Sequence, residues 1–442
     1  MRLDHGLSAE KKGLSISLFE KNGEPGGVIK SKQEQEWLLE GGPNTIMARS
    51  EQLWNLIDQL GLNDQIVQTG KEASRRYIVK DGRPTPLPQS LMQFAKTDLL
   101  SISAKFRLFK EPFIEKGDSL ESIADFFERR LGTEVVDYAV NPFVAGIYAG
   151  DPKKLSIRHT LSKVYELEQK YGSIIKGAVK SRGNSKPKSA KSRHGLISFK
   201  KGIQQLPKAL GEKLGDNIHY ECPISSFKRR ENRWTLSSAD EIFSGFDALL
   251  YTAPLHQLSP IVIQMEKARL VSQLNSMPYA PVAIVSLGFP IDQIEHSLDG
   301  FGMLVPEVEP FNILGVLFSS SLFQGRAPQD HALLTCFAGG QRNPEHVNLP
   351  DDRLIKMVTD DLDQLLGCSG EPVFSSIHHW KKAIPQFGLN HQNYLDLMEE
   401  LETANPGFYM TGNFRREVSV PGCIEQAYET AGRIASFFES RV

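Results

Sequence analysis

The stretch Ile16–Thr45 constrains this chain more than any other. Ile16-Ser17-Leu18-Phe19-Glu20-Lys21 has strand character and ends in a carboxylate; a turn follows, Gly23-Glu24-Pro25-Gly26-Gly27, then a second extended segment and Glu40-Gly41-Gly42-Pro43-Asn44-Thr45. A strand closing on an acid is what a dinucleotide-binding fold uses for a ribose, because two carboxylate oxygens can accept both hydroxyls. The glycines that follow let backbone amides approach a pyrophosphate with no Cβ in the way. The partner motif, a G-x-G-x-x-G loop about twenty residues before the acid, has no counterpart. Only Gly6-Leu7-Ser8-Ala9 fits, as the tail of such a loop and the start of its helix.

Length and charge narrow the choice further. The 442 residues have room for about two or three domains. A formal net charge of -2 argues against nucleic-acid binding by bulk charge. Cys222, Cys336, Cys368 and Cys423 are widely spaced, which fits a reducing compartment and no thiol-rich metal site. The histidines show no metal-ligand spacing. No apolar run approaches the roughly 18 residues of a membrane span, and Met1–His5 lacks a signal-peptide core. Cytoplasmic is the expected location.

Along the chain, a helix is expected over Glu51–Leu60 with Ser50 as N-cap, and a hairpin over Arg76–Pro88 around Asp81-Gly82. Leu91 to Lys180 reads as one helical insertion, with helices at Leu120–Leu131 and His159–Gly172. It runs into a basic segment, Lys176, Lys180, Arg182, Lys186, Lys188, Lys191 and Arg193, read either as a solvated loop or as contact with an anionic membrane surface. Asn217–Phe227 and Arg233–Ser237 look like paired strands. Ala248–Pro254 reads as a buried strand into a turn, and Val282–Gly288, Gly302–Val305, Leu314–Phe318 and Leu333–Phe337 are spaced like an antiparallel sheet. Helices are expected at Leu354–Leu366 and Cys423–Ser440. This order implies discontinuous domains: 1–70, 195–255 and 385–442 for a dinucleotide, 71–90 and 256–384 for a substrate, and 91–194 as a helical, membrane-meeting part. The fold class is α/β: a Rossmann-like domain incomplete at its N-terminus, a substrate domain on a mixed antiparallel sheet, and an inserted helical domain.

Several segments together resemble the protoporphyrinogen oxidase family, flavoproteins of haem biosynthesis that include coproporphyrinogen III oxidases. They are Phe19-Glu20-Lys21 with Pro25-Gly26-Gly27; Leu39–Asn44; Asn141–Pro152 with Leu155-Ser156; Tyr165–Glu168; Gly300–Pro306; Pro385-Gln386; and Gly412-Asn413 with Val418–Pro421. The resemblance implies an amine-oxidase-like fold, bound FAD, and oxidation of a porphyrinogen with dioxygen as electron acceptor. Protoporphyrinogen is the expected substrate and coproporphyrinogen the alternative; they differ in their number of propionates. It also implies peripheral membrane contact and a partner in the haem pathway.

By the same resemblance Glu20 and Lys21 meet the adenosine ribose, with Gly26 and Gly27 behind them. Gly42, Pro43, Asn44 and Thr45 line the pyrophosphate and isoalloxazine, Ile224 gives a backbone contact to adenine, Trp380 lies near the flavin, and Val418, Ser419 and Val420 present amides at a helix N-terminus. Arg76 anchors a propionate through its planar fork, with Arg75 one position away in register. Phe301, Gly302, Met303 and Leu304 line a flat slot. Glu417 and Lys201 stand where the family has glycine. No residue is demanded as general base, since flavin chemistry does not require a catalytic dyad. Two other readings stand beside this one. A general amine oxidase or carotenoid desaturase ranks low, because Phe143–Asp151 has no reason to appear there. A non-enzymatic remnant without FAD would follow from the missing strand and phosphate loop.

Overall fold

The computed structural model describes residues 14–118, 120–184 and 195–441. Gly6–Ala9, and Lys186, Lys188, Lys191 and Arg193 of the basic segment, lie outside the described residues.

A seven-stranded mixed sheet forms the largest body. Its order is Phe374–Pro385, Tyr279–Pro290, His331–Gly339, Ile313–Phe318, Gly302–Leu304, Tyr77–Lys80, Arg83–Pro86. All pairs are antiparallel except Gly302–Leu304 with Tyr77–Lys80, which is parallel. The period of two divides the long strand Tyr279–Pro290 between two buried faces. Ala283, Val285, Leu287 and Phe289 pack with Leu354, Val358, Leu362 and Leu365 of the helix Asp351–Leu366. Ala280, Val282 and Ile284 pack with Ala145, Ala149 and Leu314 on the opposite face, which looks toward a large cavity. The strand pattern over 279–339 was legible; the twelve-residue edge strand Phe374–Pro385 was not, because its polar run hides the alternation.

The dinucleotide-type elements come from far apart in the chain. Ile46–Met47, Leu196–Phe199 and Ile66–Gln68 make a three-stranded sheet. The helices Glu51–Gln59, Gln205–Leu214 and Val420–Glu439 share a core with it through Leu53, Ile57, Phe199, Leu206, Leu210 and Ile424. Ser50 stands at the N-cap position, but its hydroxyl bonds to Gln52 Oε1 (3.0 Å) and makes no cap. Two parallel ribbons complete this part: Leu18–Phe19 with Ile218–His219, and Leu249–Tyr251 with Phe408–Met410. The expected pairing of Asn217–Phe227 with Arg233–Ser237 is corrected here. Ile218–His219 turns to Leu18–Phe19, and only the next segment, Ser226–Arg230, forms the hairpin with Arg233–Ser237.

Residues 91–184 are helical. The expected helix over Leu120–Leu131 begins at Ile123, where the Ser122 hydroxyl caps the Asp125 amide. His159–Gly172 is two helices, Ile157–Thr160 and Ser162–Tyr171. Arg130, fully buried, bridges two buried carboxylates, Glu111 (2.6 Å) and Glu168. Glu111 also accepts the Ile174 amide (2.9 Å), fixing the start of the helix Ile174–Asn184. Breaking such a pair would strand a charge at a cost of about 3–5 kcal/mol. Among the described residues no helix is long and apolar enough to cross a membrane.

Candidate active site

One cavity of ≈ 2220 Å³ runs between the three parts. Single small-molecule sites occupy roughly 300–1,000 Å³, so this one has room for a dinucleotide and a second flat molecule together. At one end stands Glu20. It is buried, and its Oε1 accepts the Asn22 amide (3.0 Å) and side chain (2.8 Å). Lys21 reaches Gln257 (3.3 Å), and beside it His256 is held below its ordinary pKa by burial and by Lys382 and Lys21. Ile224 lines this end.

The middle is built on glycine. At Gly42 a Cβ would overlap the Val28 carbonyl oxygen, and at Gly26 (φ +126°) one would come 2.5 Å from the Ile29 carbonyl. The close turn that results is held by Gly41 N–H to the Lys30 carbonyl (2.8 Å) and by the Asn44 amide to the Gly42 carbonyl (3.0 Å). Trp380 locks it from the sheet: its Nε1–H donates to the Gly41 carbonyl at 2.6 Å, and its ring lies 4.5 Å from that of His378. Beneath the turn, Glu40 accepts from Ser31 and from the Ile203 amide (3.0 Å) and forms an ion pair with Arg326 (3.0 Å), with both members of that pair nearly fully buried. Burial pushes the Glu40 carboxyl up to about 7, against the pull of those three partners.

From the other side, Val418, Ser419 and Val420 line the cavity at the N-terminus of the last helix, where the Ser419 hydroxyl caps the Gly422 amide (3.1 Å). Glu417 does not intrude. Its carboxylate turns to the Ser419 hydroxyl (3.4 Å) and fills the space a Cβ on Gly422 would need. Lys201 is likewise harmless to the turn at Gly202, its amide donating to Gln205 (2.6 Å).

At the far end Arg76 lies over the Phe301 ring, 5.2 Å from its centroid. The register between neighbouring arginines is decided by tertiary contacts. Arg75 pairs with Asp299, which also binds the Tyr77 hydroxyl (2.7 Å), and Arg76 alone of the two lines the cavity. Gly302 and Leu304 face the cavity from the sheet, while the Met303 side chain points into the core behind it and offers only backbone to the lining. The opposite wall comes from the helical part: Phe127, Leu131, Val135, Val140, Phe143, Ile147 and Val164. Phe143 and Ile147 fall in the Asn141–Pro152 segment; no local signal in the sequence marks the others, nor Lys381 and Lys382 of the edge strand, because only the fold brings them to the site.

The family model for flavin-containing amine oxidoreductases matches residues 9–435. The chain belongs to that family. It is 33% identical to protoporphyrinogen oxidase 2, chloroplastic/mitochondrial, of Arabidopsis thaliana, covering 98% of this chain and 92% of that protein. It is 28% identical to coproporphyrinogen III oxidase of Bacillus subtilis, covering 93% and 90%. A crystal structure from Exiguobacterium sp., named as a candidate protoporphyrinogen oxidase, superposes with a TM-score of 0.81 at 25% identity over 98% of this chain and 96% of the other. Reduced UDP-galactopyranose mutase, at 15% identity and a TM-score of 0.74 (98% and 93% covered), shares the fold.

A flavin suits what the cavity offers. The family's flavin would need a carboxylate at a strand end, a tight backbone turn, and helix-terminal amides, and Glu20, the Gly42 turn closed against Val28, and Ser419-Val420 supply these types along one continuous void.

Proposed function

We propose that this chain binds FAD along the line from Glu20 to Val418 and oxidises a porphyrinogen held between the Phe301–Leu304 strand and the helical wall, with dioxygen as the final acceptor. Bound flavin would supply hydride acceptance, three times for each conversion of porphyrinogen to porphyrin. This chain's own residues would do the rest. Arg76 binds a propionate and, stacked on Phe301, fixes which edge of the macrocycle faces it. Gly302, where a Cβ would overlap the Val316 carbonyl oxygen, lets this strand lie close against its neighbour and form the floor of the slot. The apolar helical wall excludes water, so released protons leave by the polar end.

The observation that carries the choice of substrate is the charge distribution around that end. Arg76 stands on one side, and Phe127, Leu131, Val135, Val140, Phe143, Ile147 and Val164 on the other carry no charge or hydrogen-bond donor in their side chains. A buried carboxylate without a partner is costly. Protoporphyrinogen, with propionates on one edge only, fits this wall; coproporphyrinogen, with propionates around the ring, does not. The test is anaerobically prepared substrate and the growth of porphyrin fluorescence. We expect kcat/KM for protoporphyrinogen to exceed that for coproporphyrinogen by about tenfold or more, the equivalent of roughly one uncompensated group. Equal or reversed preference would overturn the assignment.

Peripheral membrane contact belongs to the same proposal. The helical part exposes Leu91, Met92, Ile102, Phe106, Phe109 and Phe113 beside Lys96, Lys105, Lys110 and Lys116. Apolar side chains interleaved with lysines suit the interface of an anionic bilayer.

A further inference from the structure

Glu40 ties the glycine turn to two other parts of the molecule. It closes the hairpin of Ser31–Glu34 with Trp37–Glu40, directly before Gly41 and Gly42. Arg326 reaches it from the substrate sheet, out of the connection between Ser319–Leu322 and His331–Gly339, and the Arg326 carbonyl accepts the Leu38 amide (3.1 Å). From the dinucleotide side come the Ile203 amide and, bonded to Arg326, the Ser198 hydroxyl. Asn44 of the turn borders a void of ≈ 10 Å³ together with Glu40 and Arg326.

Two demands on this carboxyl conflict. Its neighbours meet it as hydrogen-bond donors or as positive charge, which suits a carboxylate. A protonated Glu40 would have to turn round the Ser31 hydroxyl, whose oxygen already accepts the Gln204 amide (3.0 Å), and would leave Arg326 a buried charge without a counterion. Burial pulls the other way, and Arg326 Nη1 makes no directed hydrogen bond to the carboxylate it pairs with. The remaining charged groups around the turn stand apart. Lys32 and Glu34 of the partner strand pair with each other (2.8 Å), and Lys200 and Lys201 are exposed. Lys30 gives its carbonyl to the Gly41 amide. The His378 ring lies against Gly41, its pKa held down by burial and by Lys30 and His379.

We propose that Glu40 is a positioning residue whose charge governs the Gly41–Thr45 turn: as a carboxylate it holds the turn, through Arg326, Ile203 and Ser31, in the form that accepts the cofactor, and taking up a proton releases it. The choice of ligand rests on the flavin reading above. Trp380, bonded to the Gly41 carbonyl, reports the state of the turn without any ligand.

The test follows FAD binding to the full chain by quenching of flavin fluorescence. It also follows indole emission of the FAD-free chain, with Trp380→Phe to subtract the other tryptophans. The cofactor-bound form excludes the proton, so affinity rises with pH. With a midpoint at about 7, the apparent Kd should rise about tenfold from about pH 8 to about pH 6, and the Trp380 emission should change over the same range. Glu40→Gln, a fixed uncharged carboxyl mimic, should bind weakly with no such rise. Ser31→Ala, which removes a donor to the carboxylate, should move the midpoint up by about one pH unit, and decides the matter with the parent chain if Glu40→Gln fails to fold. His378→Gln should keep the rise. A flat parent profile, a rise that persists in Glu40→Gln or vanishes in His378→Gln, or an unmoved midpoint in Ser31→Ala each overturns the proposal. If no FAD binds at any pH, the flavin reading fails; a Trp380 emission change with that midpoint then leaves the proton-governed turn standing, and its absence removes it.

Discussion

Arg76 and His391 show how far single side chains can be argued. Charge-assisted hydrogen bonds contribute about 1.5–3 kcal/mol. Arg76→Ala should therefore raise KM for the porphyrinogen by roughly ten- to a hundredfold with kcat changed far less; an unchanged KM would remove Arg76 from the site. His391 is buried, its ring 4.4 Å from Phe387 and 5.1 Å from His159, and burial holds its pKa down to about 4 from 6.5. The unfolded chain therefore takes up this proton first. The stability is complete above pH 6.5 and falls as pH drops from 6.5 through about 4, by roughly 3 kcal/mol at most. Urea midpoints across that range should slope less in His391→Gln than in the parent chain. Glycines were the residues most legible in advance, because Gly42 has a local steric reason to be there. Arg76 against Arg75 was not, since the choice depends on Asp299, 224 positions from Arg75 in the chain. Nor was the inward turn of Met303, which follows from strand phase rather than from side-chain chemistry.

The element that shapes the substrate end is the helix over Thr133–Tyr148. Its middle, Val136–Val140, widens into a π turn just before Pro142, which has no N–H to continue the α pattern. Gly146 lets this helix lie against the sheet: a Cβ there would come 2.4 Å from a Leu304 methyl. That methyl is the end of a flexible side chain, so the helix need not move; Leu304 would be pushed into the cavity instead. Gly146→Ala should accordingly leave the thermal midpoint within a few degrees of the parent, given helix propensity gains of about 1 kcal/mol, while raising KM several-fold. A collapse in stability with normal KM in the surviving fraction would refute this account. The segment Phe143–Asp151 stood out in the sequence by resemblance, but its partner Leu304 is a long-range contact. Element existence was readable from periodicity; which elements face one another was readable only where a turn joined them.

For the molecule as a whole, the helical part projects Phe106, Phe109 and Phe113, which are 66%, 75% and 84% exposed. Vesicles containing anionic lipid should sediment the protein at low salt and release much of it as ionic strength rises, since a Debye length of about 8–10 Å at 0.1–0.15 M screens the lysines but not the phenylalanines. Binding equal on neutral vesicles would assign the contact to apolar insertion alone. The α/β class with a large mixed sheet was foreseen, and strand and glycine signals at both ends and in the middle pointed to distant segments meeting, as Leu18 does with Ile218 and Leu249 with Phe408. The size of the shared void and its uncharged wall were not, being properties of the assembled surface.

That same pairing of remote segments has a temporal meaning. Leu18 aligns with Ile218, and Leu249 with Phe408. While a ribosome adds roughly 5–20 residues per second, a nascent chain holds the first ribbon long before it owns the second, and the helix that begins at Val420 emerges after both. Nothing resembling a closed receptacle exists until both ribbons and the segment at Val420 have been made, so a coenzyme held between them would have to wait for all three.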